Sequence, residues 1–311
     1  MMKMRLTLMA AAVAFAGAAA QGSVLYVHYD FDDTQTGSTI SDASTNNFTG
    51  TYEVGGTASA INSGPAGPVT GPTGLAGDYA LPGIQNGAPA NSAVDMLQNG
   101  TSSFPTNSGP AGTLKSFTFT FWFKGDITSS GGSAGRVYET LRGTPNNQTS
   151  LLFYNSTPGD DQFQAVLGSS GTMLSSTDAY SETNEWIFVA LAVNANSDTF
   201  RYYKGTTTSA VSLVNTGSTA GTYNGWAPGQ TTGGITHSIV GNNSQNGRRL
   251  GVALDDFRIY GAVNHGSAGA FSQTDLESIR QQGLGNIPEP STMLTVLLGA
   301  GLVALRRKVR A

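Results

Sequence analysis

In "YVHYDFDD", Asp30 and Asp32 stand two residues apart, a spacing that puts both carboxylates on one face of a strand. Such pairs act as the acid and base of glycosidases, hold a hard cation, or make turns. A retaining glycosidase needs its carboxylates about 5 Å apart, which on a strand comes from alternating acids of the E-x-D-x-E kind. The chain has no such run, so a turn or a metal is the favoured reading of Asp30 and Asp32. Gly131-Gly132-Ser133-Ala134-Gly135 spells G-x-S-x-G, but its flanks "DITSSGG" and "RVYETL" offer neither the preceding strand nor the following helix that a nucleophile elbow requires. His28, His237 and His265 are scattered and form no H-E-x-x-H. Sugar binding asks for less, an aromatic platform and a few polar groups. Trp226 in "YNGWAPG", with Tyr223 beside it, is the candidate, the alternative being a tryptophan that caps a sheet end.

The elements that would carry these residues are strands. "SFTFTFWF", residues 116 to 123, alternates Phe117, Phe119, Phe121 and Phe123 with Ser116, Thr118, Thr120 and Trp122, the period of two of a strand with one apolar face. "WIFVALAV", residues 186 to 193, followed by turn residues 194 to 198 and "TFRYYKG", predicts a hairpin buried on both faces. Further short strands are predicted at 24–31, 50–54, 137–142, 150–154, 163–167, 238–241 and 253–260. Their spacing and the Gly-rich turns between them predict a sandwich of two antiparallel sheets. Residues 64 to 77, "GPAGPVTGPTGLAG", break the three-residue collagen period at Thr70 and read as a loop. One helix is predicted late, with Ser272 and Asp275 as a capping box and Gly283 as its stop.

The ends of the chain speak of export. Lys3 and Arg5, an apolar stretch from Leu6 to Gly17 and Ala18-Ala19-Ala20 compose a secretory signal peptide over residues 1 to 20. At the other end the apolar run from Thr292 to Leu305 would span roughly 21 Å as a helix, short of a hydrocarbon core of about 30 Å. The basic cluster Arg306, Arg307, Lys308 and Arg310 would stay cytoplasmic. Residues 21 to 290 hold all 20 acidic side chains and only 10 Lys and Arg, so the exported body is acidic and nucleic acid is not an expected partner. With no cysteine in the chain, the exported body has no disulfide to rely on and must be stabilised by its core or by bound ions.

Two resemblances sharpen this reading. Pro288-Glu289-Pro290, a short apolar helix and an Arg-rich end resemble the PEP-CTERM sorting signal of Gram-negative bacteria that make extracellular polysaccharide. The resemblance implies an exosortase-type membrane protease that reads and removes the tail, so that membrane contact through the C-terminal helix is transient; a plain transmembrane anchor is the alternative. The body, from "YVHYDFDDTQTGSTISDASTNNFTGTY" through "GPTGLAGDYALPG", "SFTFTFWFKGD" and "NEWIFVALAVNANSDTFRYYKG" to "IVGNNSQNGRRLGVALDDFRIY", resembles the LamG-like, concanavalin A-like jelly rolls. It departs from them in the ten residues Gly261 to Ala270 between the last strand and the helix. Several members of that family hold a structural Ca²⁺ between the first loop and the last strand, which by position implies Asp42, Asn47 and Asp255. Asp255 is expected on the same inward face as Phe257 and Ile259, where a carboxylate needs a cation or donors. Turn chemistry is the alternative for Asp42 and Asn47, and a hydrogen-bonded structural carboxylate for Asp255.

The expectation is therefore an all-β chain, a two-sheet antiparallel jelly-roll sandwich with one short C-terminal helix. It divides into a signal peptide over 1–20, the jelly roll over 21–283, a Pro-Glu-Pro linker over 284–290 and an apolar helix with basic tail over 291–311. The expected function is that of a surface or extracellular-matrix protein that binds extracellular polysaccharide or adheres, without catalysis. A structural matrix protein without a specific ligand and a polysaccharide-active glycosidase or lyase are the alternatives, since the fold alone does not decide activity.

Overall fold

The computed structural model describes residues 22–32, 37–45, 48–54, 57–60, 69–83, 93–95, 114–125, 135–142, 148–157, 160–167, 172–176, 180, 184–219, 235–241, 250–262 and 266–286. The strands are β1 (Ser23–Tyr29), β2 (Thr39–Ile40), β3 (Gly50–Val54), β4 (Thr57–Ala58), β5 (Val69–Thr70), β6 (Tyr79–Ala80), β7 (Ala93–Asp95), β8 (Ser116–Lys124), β9 (Gly135–Arg142), β10 (Gln148–Thr157), β11 (Asp160–Leu167), β12 (Thr172–Ser175), β13 (Ile187–Asn194), β14 (Thr199–Thr206), β15 (Ser212–Ser218), β16 (Ile235–Val240) and β17 (Ala253–Ala262). One helix, α1 (Gln273–Gly283), follows. Among the described residues, the expected all-β sandwich with a single late helix is what forms. One antiparallel sheet runs β1-β17-β8-β13-β14-β15, and the other runs β12-β11-β10-β9-β16-β7-β3-β2, with β4 on β3.

The four phenylalanines of β8 face the second sheet, as their alternation requires. Phe119 meets Tyr138 of β9 at 5.5 Å between ring centroids, and Phe121 meets Phe163 of β11 at 5.3 Å. The other face of β8 is buried too, against the expectation of a single apolar face. Trp122 packs with Phe188, Tyr260, Phe271, Leu276 and Ile279 under α1. Ser116 and Thr118 hold the segment leading to the helix: their hydroxyls donate to the carbonyls of Gly266 (2.7 Å) and Gly269 (2.6 Å) and accept from the N–H groups of Gly269 and Phe271. Residues 266 to 271 thus lie across β8 as a second cover. Helix α1 carries the expected capping box, with Ser272 N–H donating to Asp275 Oδ2 at 3.0 Å. It ends at Gly283, as expected, and the left-handed residue past its end is Gly285 (φ 67°).

Two features position the site. Residues 69 to 77 are not simply a loop: Val69–Thr70 pairs with Tyr79–Ala80 as a separate hairpin. Leu81 exchanges both backbone hydrogen bonds with Leu254, at 2.8 and 2.9 Å, and so docks the hairpin on β17. The second feature is a β-bulge in β17. Its pairing with β8 passes from Asp255 opposite Trp122 to Arg258 opposite Thr120, with Asp256 at φ 48°. The extra residue changes the parity of the strand. Leu254, Phe257 and Ile259 face the core, and Asp255 does not share their face as alternation predicts. Asp255 and Asp256 instead both open away from the core into one cleft.

Candidate acidic cleft at the sandwich rim

The end of β1, the 71–78 loop of the β5–β6 hairpin, the bulge of β17 and the C-terminus of α1 enclose a cleft of about 570 Å³. Because β1 pairs with β17, with His28 opposite Arg258, the chain's first acidic stretch lies beside Asp255 and Asp256. Five carboxylates line the cleft, those of Asp30, Asp32, Asp78, Asp255 and Asp256. Phe31, between the first two, has φ 60° and is fully buried, so its ring anchors the turn that presents its neighbours. Two non-glycine residues with positive φ at one cleft store backbone strain, a frequent mark of functional positions.

Each carboxylate is held differently. Asp256 Oδ1 accepts from Arg258 Nε at 2.7 Å and meets His28 Nε2 at 2.7 Å. Burial pulls its pKa upward, but Arg258 and His28 together outweigh burial and hold it at about 2. Asp78 Oδ2 accepts from Thr73 N–H (2.7 Å) and Thr73 Oγ1 (2.5 Å). Asp32 Oδ1 accepts from Tyr79 N–H at 2.8 Å, yet partial burial and the neighbouring Asp30 and Asp78 carboxylates push it up to about 6.

Asp255 is 3% exposed, and burial, then Asp256 and Asp78, raise its pKa well above the ordinary range. Its Oδ1 accepts from Asp256 N–H at 2.7 Å, and its Oδ2 has no hydrogen bond among the described residues. A Cβ on Gly71 would collide with Asp78 Oδ1 and lie 2.6 Å from Asp255 Oδ2, so these oxygens face each other across that glycine. A buried carboxylate so close to a half-buried one takes up either a proton or a cation, and hard oxygen donors suit Ca²⁺. Asp255 and Asp78 are the two carboxylates that such an ion would meet first. Among the described residues, no three carboxylate or imidazole groups converge as a ready-made metal cage, so carbonyl or water oxygens would have to complete the ligand set.

Of the residues singled out by sequence, Asp255 lies in the cleft and Asp42 does not line it. Asp42 accepts four hydrogen bonds, from His28 N–H, Ser44 N–H, Ser44 Oγ and Phe48 N–H, at 2.6 to 2.9 Å. It organises its own loop, the turn chemistry weighed as its alternative, and braces His28 against Asp256. Asn47, Trp226, Tyr223, Pro288, Glu289, Pro290, Arg306 and Arg307 lie outside the described residues. The G-x-S-x-G serine and His265 lie outside them as well. Asp78 and Thr73 escaped sequence reasoning because they sit in a stretch that reads as loop. Their only local signal is Thr-x-x-x-x-Asp in a Gly-rich turn.

No protein-family model matches the sequence, and no curated protein does. Solved structures do. Domain 4 of an extracellular arabinanase from Geobacillus stearothermophilus, in complex with arabinotriose, is similar over 84% of this chain and 100% of its own, with TM-score 0.52 and 16% identity. An arabinofuranosidase complexed with arabinofuranosyl-α-1,2-xylobiose matches 80% of this chain with TM-score 0.51 and 12% identity. The binding domain of a botulinum neurotoxin matches 85% with TM-score 0.50 and 14% identity. This chain spans about half the length of the latter two, 50% and 51%. At these identities the likeness shows the architecture, and the architecture is that of the β-sandwich jelly rolls.

Proposed function

We propose that the chain is an exported, non-catalytic carbohydrate-binding or adhesive module whose rim is braced by a structural Ca²⁺. The supporting observation is the convergence of Asp255, a residue 3% exposed, and Asp78 on the space beside Gly71. An ion there would join the β5–β6 hairpin to β17 by charge rather than by apolar packing, holding loops on a rigid sandwich, which is where binding sites concentrate. A binding role also fits the carboxylates' existing tasks: Asp256 pairs with Arg258, Asp78 holds Thr73, and Asp32 caps Tyr79 N–H. Polysaccharide is the ligand class proposed, in line with the oligosaccharides in the arabinanase-domain and arabinofuranosidase complexes. The Pro288-Glu289-Pro290 tail is proposed to deliver the protein to the cell surface or matrix through an exosortase-type protease.

The test is thermal melting and glycan-array binding of the full chain, with calcium and with a chelator. At a free-ion concentration a hundred times its Kd, a ligand stabilises by about 2.7 kcal/mol, roughly 5–10 °C in a domain of this size. Asp255→Asn should abolish that increment while matching or exceeding the unsubstituted chain in chelator, because the Asp78 repulsion is relieved. Identical melting with and without calcium rejects the ion, and silence across the whole array rejects the glycan.

A further inference from the structure

Three carboxylates enter the acidic cleft from three different elements, each with one oxygen to spare. Asp32 Oδ2, Asp78 Oδ1 and Asp255 Oδ2 make no hydrogen bond among the described residues, while the other oxygen of each is engaged. No Lys, Arg or His among those residues forms an ion pair with any of the three. The basic side chains of the cleft wall, Arg258 and His28, both address Asp256 Oδ1. Asp256 itself is 6% exposed, and its buried Oδ2 has no hydrogen-bond partner beside Gly283 of the same wall. Crowded carboxylates without counter-charge disfavour one another and call for positive charge from outside.

Which cation fits is a matter of spacing. A single hard ion gathers about six to eight oxygens in one shell, whereas among the described residues no three ligating side chains converge on a point. Negative charge spread around a cleft of about 570 Å³ suits a ligand that carries separated ammonium groups, each with three donors and no acceptor. The rest of the wall suits a sugar. Leu75, 66% exposed, offers an apolar surface to the C–H face of a ring. The Gln282 amide nitrogen is open to a hydroxyl, its oxygen being taken by Arg258 Nη1 at 2.9 Å. We infer that the cleft binds an amino-sugar polysaccharide through its free ammonium groups. Asp32 at the exposed mouth and Asp255 in the wall hold these groups, and an N-acetylated sugar, which lacks the charge, is refused. The site rests on the carbohydrate-binding reading, gives it a place and a ligand class, and needs no calcium. An ion between Asp78 and Asp255 would compete with the ammonium for Asp255.

The full chain, in calcium-free buffer, is titrated with a glucosamine oligosaccharide, with its fully N-acetylated counterpart of the same length, and with spermidine. The free-amine form should bind about tenfold or more tighter than the N-acetylated form, and its binding should weaken as salt is raised. Asp32→Asn keeps an oxygen for Tyr79 N–H, so it should weaken that binding about tenfold without lowering the melting temperature. Asp255→Asn, in the wall, should weaken it as well. Equal binding of the two forms overturns the ammonium site and leaves carbohydrate binding intact. Full affinity in both variants puts the sugar elsewhere and overturns the cleft. Spermidine bound as tightly as the oligosaccharide overturns the amino sugar as the ligand. If neither form binds, the amino-sugar site falls alone when another glycan on the array is bound, and together with carbohydrate binding when none is.

Discussion

Asp256 is buried beside Arg258 and His28, and its Oδ2 has no hydrogen bond. That oxygen approaches Trp122 Nε1, another buried group without a hydrogen-bond partner, beneath Gly283 of the helix, where a Cβ would lie 2.6 and 2.7 Å from the two. Gly283 is thus needed for close approach. Removing Asp256 would leave the Arg258 guanidinium, 3% exposed, without its carboxylate. Breaking a buried pair from one side costs about 3–5 kcal/mol, so Asp256→Ala should show a loss of that size in urea denaturation. At this scale the sequence was half legible. "LDDFRIY" announces two acids on a late strand, but their directions depend on the bulge. Asp78, in a glycine-rich stretch, carries no pattern that distinguishes a cleft carboxylate from a turn residue.

The helix α1 is the element most completely written in its own residues, because capping is local: Ser272 and Asp275 meet through the backbone they start. What its sequence does not disclose is its docking. Glu277 accepts from Val211 N–H at 2.8 Å and from Arg280 Nε and Nη2 at 2.9 and 2.7 Å, while Arg280 Nη1 donates to the carbonyl of Thr206. The hydrogen bonds from Arg280, followed by those from Gln281 and Val211, hold the Glu277 carboxyl at about 2 against an ordinary 4.5. A depressed carboxylate contributes stability above its unfolded value, and that contribution fades as pH falls from about 4.5 toward about 2. Stability measured against pH should therefore show the unsubstituted chain ahead of Glu277→Gln at neutral pH, with the gap closing below pH 4.5. A gap of constant size would mean that the carboxylate's charge plays no part in docking the helix.

At the scale of the whole molecule, an acidic sandwich stands between two terminal segments that read as addresses. The helix α1 is too short to cross a membrane, and among the described residues no helix is long and apolar enough to do so. The tail lies outside those residues, so its fate is a matter for mass spectrometry of the exported protein. Processing near Pro288-Glu289-Pro290 predicts a C-terminus close to that motif and a product in the outer surface or matrix fraction. A chain intact through Arg310 in the inner membrane would return the plain anchor.

Strand positions such as β8 and β13, the capped start of α1 and the excess of negative charge follow from the sequence alone. Each depends on alternation, on neighbours along the chain or on a count of charges. The cleft does not. It joins Asp32, Asp78 and Asp255 from the first strand's exit, a hairpin with two-residue strands and a bulge. A bulge inserts one residue where local alternation expects none, so parity read along β17 gives Asp255 the wrong face. Only the packing of that hairpin against β17 brings the carboxylates of Asp78 and Asp255 face to face.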